Sequence, residues 1–118
     1  KGAAYIHGAA MVVAGGLNGG ANSVFWSGGK SAQAAAETFG TTIGKTPVGA
    51  ILNYIHPSVE EILGKQAANY MWRLPSRIFA ENATGNAQAV IRSVNPESIW
   101  MSIEKPIIER NGIPIIYR

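Results

Sequence analysis

The chain has 118 residues, a formal net charge of +3 and no cysteine. That length suits one compact domain over 1–118, and the missing thiols exclude disulfides, thiolate nucleophiles and cysteine zinc sites. Every acidic residue is Glu, which removes the usual ligand of an Asp-containing triad or an Asp-rich metal site; no metal is expected, and the mild basicity suits an anionic ligand such as a dinucleotide, an RNA or an acidic protein partner.

Residues 1–22 are rich in Gly and Ala and read as a flexible or helical lead-in to a core over 23–118. The apolar run Ala3 to Leu17 is broken by His7, Gly8, Gly15 and Gly16, too short and interrupted for the roughly 20 residues of a membrane span. A start at Lys1 without Met suggests a piece of a larger protein. Val24-Phe25-Trp26 is a brief apolar burst, Ser27-Gly28-Gly29 a turn, and Lys30 to Phe39 an Ala-rich helix that stops at Gly40. Thr41 to Pro47 punctuates the chain. Val48 to Ile55 follows as a short apolar segment that His56-Pro57 should close, because the residue before proline is pushed away from helical geometry.

Ser58 with Glu61 three residues on forms a capping-box pattern, predicting a new helix from Ser58 whose apolar stripe runs from Ile62 to Phe79, kinked or split by Pro75. Gly85 ends that stretch, and Ala87 to Val94 reads as a buried strand. Ser98 to Glu104 fits a strand or a helix; a spacing of four puts Trp100 and Glu104 on one side in either. Pro106 and Gly112 bound a short helix, and Ile113 to Tyr117 closes the chain as a strand.

Three tryptophans each have a polar group close by: Trp26 with Ser27, Trp72 with Ser76, Trp100 with Glu104. Aromatic walls with a few convergent polar groups suit a flat heteroaromatic ligand, although on composition alone an indole is more often core filler. Ser27, Gly28 and Gly29 ahead of Lys30 can present backbone N–H groups and a cation to a phosphate, or serve as a plain turn. His7 and His56 are far apart and read as loop residues. Arg73, Arg77, Arg92, Arg110 and Arg118 read as scattered surface charges, with Arg77 also able to reach a phosphate.

Val24-Phe25-Trp26-Ser27, then Trp72 with Ser76, Arg77, Phe79 and Ala80, then Ser98-Ile99-Trp100 running to Glu104, resemble in order and spacing the ADP-ribosyl cyclase and NAD glycohydrolase family. The resemblance implies an α/β fold (α+β as the variant), with a helical N-terminal part and a small, mostly parallel sheet flanked by helices. It implies NAD or NADP as substrate, no cofactor, and Glu104 as the carboxylate that stabilises the ribosyl centre when nicotinamide leaves. It casts Trp72 as the nicotinamide wall, Trp26 as the gate and Ser76 as a partner of the ribosyl intermediate. Ser27 and Ser98 would contact phosphate or ribose, and Trp100 would mark a position near the phosphates. The family's second acid falls near Phe39 to Thr42, where this chain has none, so hydrolysis is expected over cyclisation.

The context that follows is the toxic C-terminal domain of a larger secreted or cell-surface-delivered bacterial effector, such as a contact-dependent inhibition protein, acting in the target-cell cytoplasm and matched by a cognate immunity protein. No stable nucleic-acid partner is expected under this reading. A ribonuclease toxin using His56 and Arg92 is the alternative, and a small interaction module with a tryptophan patch is a third.

Overall fold

A computed structural model describes residues 15–118. His7 and most of the 1–22 lead-in therefore lie outside the described residues. The chain forms an α/β fold around a three-stranded parallel sheet ordered β1-β2-β3, with β1 at Val24–Ser27, β2 at Ala87–Ile91 and β3 at Ile115–Tyr117. Val24 pairs with Gln88 and Ala87 with Ile115, both in parallel register. Parallel neighbours need long crossovers. The first carries helices α1 (Lys30–Glu37), α2 (Pro47–Leu63), α3 (Lys65–Tyr70) and α4 (Arg73–Glu81); the second carries a π-helical turn at Trp100–Glu104 and helix α5 (Lys105–Arg110).

Alternation along the strands sends side chains to two cores. On one face Val24 and Val90 meet Ala32 and Ala36 of α1, one helical turn apart, whose methyl side chains let the helix lie close on the sheet. On the other, Phe25 and Ala89 meet Phe79, Trp100 and Ile108 from α4, the π-helical turn and α5. Phe25 is the centre of that core: its ring stands edge-on to Phe79 at 5.2 Å and tilted to Trp100 at 5.5 Å. Such aromatic pairs add about 0.5–1.5 kcal/mol each beyond the burial of their area.

The turn after β1 needs its glycines. Gly28 and Gly29 have φ of +112° and +91°, and a Cβ on Gly28 would stand 2.7 Å from that of Arg92 at the end of the neighbouring strand.

The middle of the chain departs from the sequence expectation. His56-Pro57 does not end the apolar segment; α2 runs through it to Leu63. Thr46 starts this helix, its hydroxyl accepting the Gly49 N–H at 3.1 Å with Pro47 in the first turn, and the cap offsets part of the cost of the interior proline. Proline removes a single ladder bond, to the carbonyl of exposed Asn53, where water can replace it. Ser58 is consequently a helix-interior residue, not a cap. The expected stripe from Ile62 to Phe79 is also three pieces, broken at Gly64 (φ +94°) and at Met71-Trp72. Pro75 does not cause the second break: it occupies the first turn of α4, where its missing N–H has no intrahelical partner to lose. Ile62, Leu63, Tyr70 and Leu74 of that stripe are exposed, whereas Phe79 is buried. The strand expected to reach Val94 ends at Ile91. Among the described residues no helix is long and apolar enough to cross a membrane.

Candidate active site

Glu104 is the most unusual titratable group among the described residues. It closes the π-helical turn, where one extra residue per turn rotates the side chains that follow, and helix α5 starts immediately after it. The turn is anchored by Ser98, whose hydroxyl accepts the Met101 N–H at 3.2 Å and whose carbonyl accepts the Ser102 hydroxyl at 2.7 Å. Trp100, 2 % exposed, fixes the other end by packing on Phe25 and edge-on to Tyr117 at 6.5 Å. Glu104 is thereby held at 6 % exposure, and no ion pair or hydrogen bond among the described residues reaches its carboxyl. Desolvation by burial raises its pKa from 4.5 to about 8. At neutral pH the ligand-free protein holds it mainly as the acid.

The sequence-derived residues fall into three places. Phe25 and Ser27 point to the face of the sheet that the π-helical turn covers, and Ser76 shares the buried face of α4 with Phe79 and Ala80, which pack against that same turn. Ser27, Ser76, Trp100 and Glu104 thus belong to one interlayer. Trp26 lies on the opposite face, against Val24, Val90, Ala32 and Ala36. Trp72 lies at the start of α4 and turns towards α2: its indole N–H donates to His56 Nδ1 at 3.0 Å, while His56 Nε2 stands 3.3 Å from Glu60. Gly28, Gly29 and Lys30 are exposed at the carboxyl edge of the sheet, and Arg77 is exposed on α4.

Two features escape the sequence reading. His56 is part of a Trp72–His56–Glu60 chain rather than a loop residue; the residues are 16 apart and only the packing of α2 on the α3–α4 corner joins them. Arg73, Arg77 and Arg110 are not scattered but line one groove, because Arg73 and Arg77 are four apart on α4 and α5 packs alongside. Their helical spacing was the available signal; the position of α5 was not.

Among the described residues no group of three or more His or Glu side chains is placed to hold a metal ion. A buried, uncompensated carboxyl in a layer with two buried hydroxyl-bearing residues can stabilise a cation that develops beside it, or give up a proton near pH 8. No family model matches this chain, and neither a curated protein nor a solved structure matches it.

Proposed function

We propose that this domain is an NAD(P) glycohydrolase that cleaves the bond between nicotinamide and ribose, with Glu104 as the carboxylate that stabilises the ribosyl cation. The observation that carries the reading is a glutamate buried, among the described residues, without a charge or hydrogen-bond partner, on a π-helical turn. Holding an ionisable group this way costs stability, and such costs concentrate where a ligand later compensates them.

Nicotinamide in NAD is a pyridinium cation. Placed beside Glu104 it supplies the missing opposite charge and draws the carboxyl into its anionic form. As the C1′–N bond breaks, its electron pair neutralises the ring and positive charge passes to the ribose, where the anion remains close. Water then adds at C1′ and releases a proton, giving nicotinamide and ADP-ribose. The leaving group needs no acid, so one preorganised anion suffices. The sequence resemblance supports the same assignment for Ser27 and Ser76 as ribosyl or phosphate partners, whereas Trp72, whose indole N–H is bonded to His56 of α2, does not stand as a wall next to Glu104.

His56, the base a ribonuclease reading requires, has Nδ1 accepting from Trp72 and Nε2 facing Glu60, which favours the glycohydrolase over it. Under the preferred reading the domain acts as a toxin delivered into a target cell by a larger effector, and a cognate immunity protein covers its site. Incubating the purified domain with NAD and quantifying nicotinamide tests the activity. Release is expected from the wild type. A folded wild-type sample that releases none would end the proposal.

A further inference from the structure

Helix α4 carries two cations with no counter-ion among the described residues. Arg73 and Arg77 are exposed, four residues apart on one helical face, and neither is in an ion pair among the described residues. Like charges at this spacing destabilise a helix by a few tenths of a kcal/mol, and Glu81, the acid four residues after Arg77 on the same helix, is paired with Arg110 instead. The Arg73 guanidinium lies over the Tyr70 ring, 5.9 Å from the centroid.

Both arginines, with Ile103, are shared by two adjoining lobes of one groove, about 450 and 360 Å³ in volume. The lobes differ in chemistry. The first adds Tyr70, Met71 and Leu74, an apolar and aromatic wall. The second adds Ser102, Glu81 and Arg110. Glu81 does not neutralise the two α4 arginines, because its carboxylate is taken by Arg110 and also accepts from Asn111 Nδ2 at 3.3 Å. Arg73 and Arg77 thus wall both lobes, with Tyr70, Met71 and Leu74 beside them in the first and the Ser102 hydroxyl, together with Pro106 and Ile107, in the second.

We infer that this groove binds a nucleoside diphosphate group, the diphosphate between Arg73 and Arg77 with Ser102 beside it, and the base against Tyr70, Met71 and Leu74. Guanidinium forks match phosphate oxygens bidentately, and the volumes lie in the range of small-ligand sites. Ile103, which lines both lobes, immediately precedes Glu104, so the bound diphosphate adjoins the turn that holds the carboxyl. Naming the ligand as the ADP half of the dinucleotide rests on the glycohydrolase reading; the phosphate and base chemistry does not.

The test titrates ADP, adenosine and a short single-stranded RNA into the wild type, Arg73→Gln/Arg77→Gln, Arg77→Gln alone, and Lys65→Gln as an exposed control outside the groove, by calorimetry. ADP should bind the wild type at least tenfold more tightly than adenosine does, and weaken with rising salt. The double variant should lose at least tenfold, the single variant several-fold, and the control less than twofold. Thermal melts establish that the variants, altered at exposed positions, remain folded. Equal ADP binding by wild type and double variant, no ADP binding by the wild type, or arginine-dependent binding of RNA but not of ADP would each overturn the inference. Nicotinamide release without ADP binding at these arginines would leave Glu104 standing and remove the groove. Arginine-dependent ADP binding without nicotinamide release would do the reverse.

Discussion

Replacing Glu104 by Gln keeps the shape of the side chain and removes its ionisation. In the folded protein the carboxyl titrates near pH 8 and in the unfolded chain near 4.5, so between those values the native state holds a proton that the unfolded state has released. Stability linked to this group is complete below pH 4.5 and is lost as pH rises through 8. The slope is about 1.4 kcal/mol per pH unit, giving a total loss on the order of 4–5 kcal/mol, a large part of the ~5–15 kcal/mol that holds a domain together. Urea unfolding at a series of pH values measures it. At pH 5 the wild type and Glu104→Gln should agree within about 1 kcal/mol, since both side chains are neutral and similarly buried. At pH 8.5 the variant should be the more stable by several kcal/mol. Contributions from the histidines are common to both proteins and cancel in the difference. Parallel pH profiles for the two proteins would show that Glu104 is not buried uncompensated, and the reasoning would be wrong.

The same titration shapes the activity. If the ionised carboxyl is required, kcat/KM for NAD should climb about tenfold per pH unit up to an apparent pKa near 8, and a flat profile from pH 5 to 9 would exclude that requirement. Trp72→Phe and His56→Ala should each cost about 1 kcal/mol of stability through the lost indole–imidazole bond, and the double variant should cost clearly less than the sum. Urea melts of the four proteins give the coupling; strict additivity would mean that the bond contributes nothing. Thr42 is fully buried and its hydroxyl has no hydrogen-bond partner among the described residues, so Thr42→Val, nearly isosteric, should raise stability by about 1–2 kcal/mol, measurable as an upward shift in Tm.

The first strand and the segment that closes the chain were more legible than the stretch between them. Val24 to Trp26, the helix after Gly29 and the closing strand before Tyr117 carry local signals that tertiary packing reinforces: an apolar run, a pair of positive-φ glycines, and a proline-glycine bracket around α5. Between Thr46 and Glu81 local signals compete. His56-Pro57 and Ser58-Glu61 favour a boundary, but the Thr46 cap and the packing of α2 on α3 carry the helix through. Trp72 and Ser76 are readable as a pair at helical spacing, yet they diverge, the indole towards His56 and the serine into the core. Trp26 and Ser27 diverge for a simpler reason, since neighbours on a strand face opposite sides. The spacing of Trp100 and Glu104 gave a shared burial that holds in the π-helical turn, but the turn itself has no sequence signal, and neither has the lack, among the described residues, of a partner for the carboxyl. That lack depends on which side chains three separate segments bring to one layer.

The most direct test of the account is the rate of nicotinamide release from NAD by the wild type and by Glu104→Gln at pH 8, with equal folded fractions verified by circular dichroism. Loss of a preorganised anion beside the ribosyl centre should lower kcat by about 10²–10³, with the substrate still bound. A variant that releases nicotinamide within a few-fold of the wild-type rate would place the chemistry elsewhere in the molecule and contradict the role given to the buried carboxyl.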